Sequence, residues 1–253
     1  MLIEQTLTKM GQLKLFGMIE ALEEQLKSTQ DLELSFEERF GIIIDHHYQW
    51  KENRSLQNRI KKARLKIDAS IEDVDYRAHR KLTKSSIDQL SLSNWLLHHQ
   101  NVIITGPTGV GKTYLACAIG QKACRNGFSV LYFYLPKLFR ELELNTAQGK
   151  ISNFLQKLLK TDLLIIDDWG IEQLAESQYR DFLEILDDRH ENASILMTSQ
   201  YPIKHWHDQM GNPTIADAIL DRIVHNSHKI EMKGDSMRKV KNKKMNAKKT
   251  KKS

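Results

Sequence analysis

A glycine-rich octapeptide constrains this chain more than any other feature. Residues 106–113 read Gly-Pro-Thr-Gly-Val-Gly-Lys-Thr and match G-x-x-x-x-G-K-[ST], between an apolar run at 102–105 and a helical pattern from about residue 113. A strand that leads through such a turn into a helix directs backbone N–H groups and the positive end of the helix dipole toward one point. The sequence therefore predicts a loop that binds a polyphosphate.

Each part of the loop has a predicted role. The glycines allow backbone conformations and a close approach that a Cβ would block. Lys112 would reach the β- and γ-phosphates and act in catalysis, and the Thr113 hydroxyl would be a Mg²⁺ ligand. The expected cofactors are therefore ATP and Mg²⁺. The residues predicted to bind the nucleotide are Gly106, Pro107, Thr108, Gly109, Val110, Gly111, Lys112, Thr113 and Tyr114.

After residue 100 the chain alternates short β-rich runs with helical patterns. The runs lie at 102–105, 129–134, 163–167, 194–198 and 228–232. This alternation is typical of an α/β fold, a parallel sheet with helices on both faces. Ligands of such sheets bind at the carboxyl ends of the strands, so polar residues that follow the runs are candidates for the site.

Two adjacent aspartates end the third run. Asp167 is predicted to hold Mg²⁺, and Asp168 occupies the place of a general base that polarises the attacking water. Adjacent carboxylates at the end of a strand repel each other unless a cation is present, which supports a metal site. The alternative is a capping and turn role for the Asp-Asp-Trp-Gly segment.

The fourth run ends in a polar tripeptide at 198–200. Ser199 is the predicted catalytic residue, with Thr198 as the other candidate to bind the γ-phosphate or position water and Gln200 as a neighbouring one. The alternative is a polar strand end that is satisfied by solvent.

Arg222 lies in a helical pattern whose isoleucines at 219 and 223 face the core, so its guanidinium is expected to project outward. An exposed arginine suits action in trans, on the nucleotide of a neighbouring subunit, where it would stabilise transition-state charge. The alternative is a salt bridge with Asp217 or Asp221.

The first hundred residues lack this alternation. Apolar side chains recur there at helical spacing and predict two or three packed helices, followed by one more helix at 85–99. We expect a small all-α N-terminal domain at 1–66 for DNA or partner binding and assembly, a linker at 67–83, an ATPase domain at 84–237 and a disordered basic tail at 238–253. The apolar residues that predict the first helices are Leu15, Met18, Ile19, Leu22, Leu26, Phe36, Phe40, Ile43 and Ile44.

The formal charge of +6 is concentrated in two places. Residues 238–253 contain nine Lys and Arg and no acid, and residues 51–66 contain seven against one Glu. Together they predict a polyanionic partner, with Lys61, Lys62 and Arg64 as candidate DNA contacts. A solubilising tail and a solvated helix face are the alternatives.

Other features narrow the function classes. Cys117 and Cys124 are seven residues apart on one predicted helix, about 10 Å of rise, which is too far for a disulfide. The ten histidines lack cysteines or carboxylates at ligand spacing, which favours surface or capping roles. No segment approaches the roughly 18 apolar residues of a membrane span and the start has no secretory layout, so we expect a cytoplasmic protein with no membrane partner.

These motifs together resemble an IstB-like transposition helper ATPase, of the AAA+ group that also contains the bacterial helicase loader and replication initiator. The resemblance covers the chain except the lysine tail. It is carried by NVIITGPTGVGKTYLACAIGQKAC, by LLIIDDWG, by the stretch from 186 to 238 and by the helical amino-terminal region. The Ser-Gln-Tyr-Pro, Trp-His and Ala-Asp-Ala-Ile-Leu-Asp-Arg runs favour the transposition helper over the loader.

The resemblance implies an AAA+ core with strand order 5-1-4-3-2 and an ATP-dependent homo-oligomer with shared ATP sites on double-stranded DNA. It also implies an IstA-like partner transposase. Arg222 would be the arginine finger, Arg238 the sensor 2 residue that contacts the nucleotide, and 198–200 the sensor 1 segment. Residues 136–159 stand where this group inserts a helix that faces DNA, with Lys137, Arg140 and Lys150 as phosphate contacts.

Two departures from the family pattern matter. Many AAA+ ATPases have Glu where Asp168 stands, so hydrolysis is expected to be slow and switch-like. Only about twenty residues follow the last strand, so the helical lid is expected to be truncated.

The predicted function is an ATP-dependent DNA-binding regulator of transposition that prepares target DNA and stimulates a transposase, with hydrolysis driving disassembly. The alternatives are a replicative helicase loader, a P-loop kinase of small molecules and a nucleotide-bound scaffold with negligible turnover.

Overall fold

The computed structural model describes residues 2–28, 34–76 and 81–237, without the Leu2 side chain. The chain divides into two compact units, Met1–Asn58 and Arg59–Ser253. The predicted domain limits and their roles stay predictions. Arg238 and the basic tail, for which we predicted a nucleotide contact and a DNA contact, lie outside the described residues.

The first unit contains helices α1 (Leu2–Gln12) and α2 (Phe16–Lys27) and most of α3 (Phe36–Ala63). Helices α2 and α3 approach closely at Gly17, where a Cβ would lie 2.7 Å from Cβ of Trp50. The Trp50 indole N–H donates to Glu20 Oε1 at 3.1 Å. The apolar pattern of α3 is only partly packed, because Ile43 is buried whereas Phe36, Phe40 and Ile44 are exposed.

The second unit is built on a parallel five-stranded sheet. Its strands are β1 (Asn101–Thr105), β2 (Val130–Tyr134), β3 (Leu163–Trp169), β4 (Ser194–Ser199) and β5 (Ser227–Glu231). Their order across the sheet is β2-β3-β4-β1-β5, which confirms the predicted order 5-1-4-3-2 read from the other edge. The five predicted runs all form strands: β1 to β4 are apolar and buried on both faces, whereas β5 is an edge strand of which only Ile230 is buried.

Helices cover both faces of the sheet. Alternate strand residues point to opposite faces, so Ile103, Ile166 and Met197 join the core under the helices that follow β2, β3 and β4. The opposite face packs against α6, where the side chain of Ile165 meets Gly120. The helices are α4 (Lys84–Ser91), α5 (Asn94–Leu97), α6 (Lys112–Arg125), α7 (Leu135–Ala147), α8 (Ile151–Leu159), α9 (Glu176–Arg189), α10 (Trp206–Gln209) and α11 (Pro213–Val224).

The single helix predicted at 85–99 is wrong, because α4 and α5 are separate. Ser93 adopts φ +58°, a left-handed conformation that ends the helical path, and its buried position fixes the break.

The last turns of α3 and the segment that follows run along α6 in the opposite direction. Arg59 Nε donates to the carbonyl oxygen of Cys124 at 2.9 Å, and Leu65 packs beside Gly120. Burial raises the pKa of the Cys117 thiol while the backbone N–H groups of Ile67 and Lys66 lower it, so this thiol lies beside them. Both cysteines are free and buried, as their spacing predicts.

A buried arginine ties the amino ends of β3 and β4 to α8. The Arg189 side chain at the end of α9 is 1% exposed, and burial lowers its pKa to about 10. Its guanidinium donates to four backbone carbonyls, those of Leu158, Thr161, Asp162 and Ser194. Arg189 therefore holds the end of α8 and the starts of β3 and β4 together through hydrogen bonds to their backbones.

We expect Arg189→Met to lower the free energy of unfolding by about 3 kcal/mol, because buried carbonyls would lose charged donors. Urea denaturation measures the loss. Arg180→Met on the same helix is the matched control, because the exposed pair of Arg180 with Glu176 contributes little. Equal effects of the two substitutions would contradict the assigned role of Arg189.

Candidate functional site

The phosphate loop connects the carboxyl end of β1 to α6. Its glycines, Gly106, Gly109 and Gly111, have φ of +150°, +82° and +106°. A Cβ on Gly106 would lie 2.4 Å from the carbonyl oxygen of Met232, and one on Gly109 would lie 2.3 Å from Oγ of Ser236. Glycine is therefore required both by conformation and by the chain after β5, which lies against the loop.

The Lys112 ammonium is folded onto the loop. Its Nζ donates to the carbonyl oxygen of Gly106 at 2.8 Å and to that of Pro107 at 3.1 Å. Burial lowers the pKa of Lys112, and the charges of Asp168 and Asp167 partly oppose this shift. A polyphosphate in the loop would replace the two carbonyls as acceptors for this buried cation.

Asp167 is the centre of the site. Its fully buried carboxylate accepts hydrogen bonds from Thr113 Oγ1 at 3.0 Å to both oxygens, from Thr198 Oγ1 at 2.6 Å and from the Tyr132 hydroxyl at 2.7 Å. Lys66 Nζ lies 3.6 Å from its Oδ2. Burial and the hydrogen bond to this carboxylate both raise the pKa of Tyr132, so the phenol remains a donor.

The donor chemistry at this point fits Mg²⁺. The ion is usually held by one or two protein oxygens together with phosphates and water, and the Thr113 hydroxyl and Asp167 carboxylate lie together beside the phosphate loop. Within the described residues, no group of three or more His, Cys, Asp or Glu is placed to hold a metal ion. The site therefore suits a Mg²⁺ ion that is bound partly by these two side chains and partly by the phosphates of the nucleotide.

A bulge in β3 separates the two aspartates. Pairing with β4 is interrupted between Ile166 and Trp169, and Asp168 adopts φ +66° there. The Asp168 N–H donates to Thr198 Oγ1 at 3.0 Å. Asp167 is buried on the α6 face, whereas Asp168 is partly exposed, so the two acids have different surroundings.

The sensor 1 candidates take different positions at the end of β4. The Thr198 hydroxyl contacts Asp167, and Gln200 Oε1 accepts a hydrogen bond from Thr108 Oγ1 at 2.5 Å. Ser199 Oγ donates to the carbonyl oxygen of Trp169 at 2.9 Å on the other face. The catalytic role of Ser199 stays a prediction, and these contacts favour Thr198 and Gln200 instead.

Arg222 lies far from the phosphate loop of its own chain. Asn101 Nδ2, at the amino end of β1, donates to the carbonyl oxygen of Arg222 at 3.1 Å, whereas the loop follows the carboxyl end of β1, about 16 Å away along the strand. The guanidinium forms an ion pair with Asp187 of α9. The predicted alternative, a salt bridge of Arg222, therefore forms, but with Asp187 and not with the predicted partners Asp217 or Asp221.

The predicted DNA contacts all belong to the second unit. Lys61 and Lys62 lie in the last turn of α3, Arg64 follows it, Lys137 and Arg140 lie on α7, and Lys150 precedes α8. The structure brings Arg64 and Lys137 together in one cleft. Their binding to DNA stays a prediction.

Sequence reasoning missed Lys66 and Tyr132 as neighbours of Asp167. Strand alternation carries a signal for Tyr132, because it lies opposite Ile165 in the register and so shares the face of Asp167. No local signal marks Lys66, which reaches the site only because its segment packs along α6.

Among the described residues, no helix has the length and apolar character needed to cross a bilayer.

Comparisons with known proteins agree with this geometry. A model of the IstB-like ATP binding protein family matches residues 8–246. The chain is 43% identical over 238 residues, 94% of its length and 97% of the relative's, to the insertion sequence ATP-binding protein y4pL of Sinorhizobium fredii.

Solved structures show the same fold. DnaI matches with a TM-score of 0.54 and 26% identity over 65% of this chain and 91% of that chain. The DnaC helicase loader matches with a TM-score of 0.51 and 19% identity over 65% of this chain and 97% of that chain. The second unit therefore has an AAA+ core.

We expect Thr113→Val to abolish the enhancement of nucleotide binding by Mg²⁺, because valine keeps the shape but loses the hydroxyl between loop and Asp167. Fluorescent ATP titrated with and without Mg²⁺ measures this. Thr113→Ser keeps the hydroxyl and should keep the enhancement. Full Mg²⁺ dependence in the valine variant would remove Thr113 from the metal site.

Proposed function

Because the chain belongs to the IstB-like ATP-binding protein family, we propose that it is an ATP-dependent DNA-binding regulator of transposition. The observation that carries this proposal is the site in which the Lys112 loop, Thr113 and Asp167 meet. In the proposal, ATP occupancy controls assembly of a homo-oligomer on double-stranded DNA. An IstA-like transposase reads the ATP-bound assembly.

ATP hydrolysis is the proposed reaction. Lys112 leaves the carbonyls of the loop to bind the β- and γ-phosphates, and Thr113 and Asp167 would hold Mg²⁺. When bound, Mg²⁺ neutralises charge on the phosphates. Asp168, partly exposed at the bulge, orients a water and accepts its proton as the oxygen bonds to the γ-phosphorus and the bond to ADP breaks.

The Asp168 side chain has one carbon fewer than glutamate, so its carboxylate reaches less far toward the water. This supports slow hydrolysis, in which ATP binding builds the assembly and turnover releases it. Thr198 and Gln200 link the reaction to the loop, since one bonds Asp167 and the other bonds Thr108.

Arg222 completes the site from a neighbouring subunit in this proposal. Its position at the amino end of β1 keeps it away from the loop of its own chain, and its side chain is 30% exposed. The guanidinium would exchange its bond with Asp187 for the γ-phosphate of the neighbour. Oligomers with shared ATP sites follow from this arrangement.

DNA binding is assigned to the basic residues of the second unit. Lys61, Lys62 and Arg64 precede the core, while Lys137, Arg140 and Lys150 lie on or beside the helices that follow β2. Contacts of this kind bind the phosphate backbone without reading sequence and weaken as salt rises. They suit a protein that prepares DNA for a separate enzyme.

A helicase loader is the second candidate, because the DnaC helicase loader shares the fold. At 19% identity this similarity supports the fold and no more. Affinity capture of partners from cells that carry both a transposase and a replicative helicase separates the two functions. Recovery of the helicase alone would favour the loader.

We expect wild-type protein to bind duplex DNA more tightly with a non-hydrolysable ATP analogue than with ADP. Lys112→Ala should bind DNA equally weakly with either, because the ammonium that reads the phosphates is gone. Fluorescence anisotropy across salt concentrations measures the affinity and counts phosphate contacts. Equal affinity of the wild type for DNA with both nucleotides would contradict the proposal.

We expect Arg222→Ala to bind ATP normally but to lower turnover about 10³-fold, the range of arginine fingers. A mixture of Arg222→Ala and Lys112→Ala should regain part of the activity, since the first supplies an intact loop and the second an intact arginine. Phosphate release on DNA is the measurement, and melting temperatures show that both variants fold. A mixture as inactive as its components would place Arg222 outside the shared site.

A further inference from the structure

A basic cleft of about 320 Å³ lies beside the candidate nucleotide site, at the carboxyl end of β2. Its walls carry three cations, one acid and aromatic side chains of β2. The polar and aromatic residues that matter here are Arg64, Lys66, Lys137, Glu141, Tyr132 and Tyr134. Lys157 is a fourth cation near the cleft. Burial lowers its pKa, and the nearby charge of Arg64 lowers it further. The positive side chains outnumber the single acid, so the cleft is expected to attract an anion.

Lys66 belongs both to this cleft and to the nucleotide site. Its Nζ lies 3.6 Å from Oδ2 of Asp167 and 5.3 Å from the ring centroid of Tyr134. Its side chain is 48% exposed, whereas that of Asp167 is fully buried. The ammonium therefore stands between a buried acid on one side and the open cleft on the other.

The backbone beneath Lys66 is held in place. Leu65 packs beside Gly120 of α6, and the N–H groups of Lys66 and Ile67 lie at the Cys117 thiol. A Cβ on Gly120 would lie 2.6 Å from Cδ1 of Ile165 and 3.1 Å from Cδ2 of Leu65, so the glycine lets these side chains pack closely on α6. The flexible four-carbon side chain, and not the backbone, is the part of Lys66 that can change position.

Mg²⁺ at Asp167 and the ammonium of Lys66 are like charges that need the same carboxylate. Binding of Mg²⁺ with ATP would drive Lys66 toward the cleft by repulsion. There it would join Arg64 and Lys137, whose charges Glu141 offsets only in part, so a bound anion would lower the remaining repulsion among the three cations. A phosphate in the cleft and Mg²⁺ at Asp167 therefore favour the same position of Lys66.

We infer that the cleft binds a backbone phosphate of DNA and that Lys66 couples this contact to Mg²⁺ at Asp167. The inference rests on the proposed function and supplies its link between nucleotide and DNA. The coupling is reciprocal, so DNA in the cleft favours Mg²⁺ binding as much as Mg²⁺ favours DNA. Lys66 is a positioning residue and takes no part in bond making.

The test is Lys66→Met, which keeps most of the side-chain volume and removes the charge. We expect the Mg²⁺ concentration that half-saturates binding of a fluorescent non-hydrolysable ATP analogue, without DNA, to fall about fivefold, because a competing cation at a partly exposed pair is gone. In the same variant, duplex affinity measured by anisotropy should lose its dependence on the Mg²⁺-bound analogue. Lys66→Arg should keep both wild-type behaviours.

Lys137→Met is the matched control within the cleft. It should weaken DNA binding and leave the Mg²⁺ midpoint without DNA unchanged, because Lys137 has no contact with Asp167. Inorganic phosphate, added after the Mg²⁺-bound analogue has saturated the loop, serves as competitor for the duplex. Displacement of the duplex only by phosphate in large excess over the DNA phosphates is expected, whereas displacement by phosphate below the DNA phosphate concentration would make the cleft a free-phosphate site and overturn the inference.

Two results separate this inference from the proposed function. If the wild type binds DNA equally with and without nucleotide, the proposed function fails, and the coupling fails with it. If the wild type responds to nucleotide and Lys66→Met responds as fully, or has an unchanged or higher Mg²⁺ midpoint, the coupling through Lys66 is wrong and the proposed function stands. Melting temperatures of the three variants confirm that each is folded.

Discussion

The buried carboxylate of Asp167 is the constraint on which the rest of the site depends. An isolated charge in a protein interior is strongly unfavourable, so it must be surrounded by donors. Thr113 comes from α6, Tyr132 from β2, Thr198 from β4 and Lys66 from the segment after α3. Four separate parts of the chain therefore have to be placed correctly before this one group is satisfied.

The parallel sheet makes this convergence possible. Tyr132, Asp167 and Thr198 lie on neighbouring strands at the same edge, and all three point to the face that packs against α6. The phosphate loop then enters α6 directly at that face, which puts Thr113 beside the carboxylate. The bulge after Asp167 turns the next residue, Asp168, toward a partly exposed position. Metal-binding and water-activating roles can thereby be divided between adjacent residues.

Much of this could be predicted from the sequence, because the signals are local. The phosphate loop fixes a strand, a turn and a helix, and five apolar runs fix the sheet. Other features depend on contacts between distant segments. Arg222 pairs with Asp187, which is 35 residues away on another helix. Lys66 lies at Asp167 because its segment packs along α6, and nothing in a run of seven cations distinguishes it from its neighbours.

A sequence motif does not distinguish neighbouring polar residues at the end of a strand, but the face of the sheet to which each side chain points does. Thr198 and Ser199 are both hydroxyls at the end of β4, yet only Thr198 shares the face of Asp167, because side chains alternate along a strand. Because all six residues of β4 are buried, alternation alone selects neither hydroxyl, and the register with β3 is what places Thr198 on the face of Asp167. The Ser93 break between α4 and α5 has no such signal, since serine occurs both within and between helices.

Two of the cations that the proposals need, Arg222 and Lys66, are already paired with acids of the same chain. Arg222 is bonded to Asp187, with their side chains 30% and 47% exposed, and such a pair stabilises the fold by about 1 kcal/mol or less. An arginine finger that accelerates turnover about 10³-fold contributes about 4 kcal/mol in the transition state. The exchange is therefore favourable in the transition state once a neighbour presents ATP, and unfavourable without it. Lys66 also has a partly exposed pair, with Asp167, from which Mg²⁺ would displace it, so small ion pairs within the chain make both proposed contacts conditional on the nucleotide.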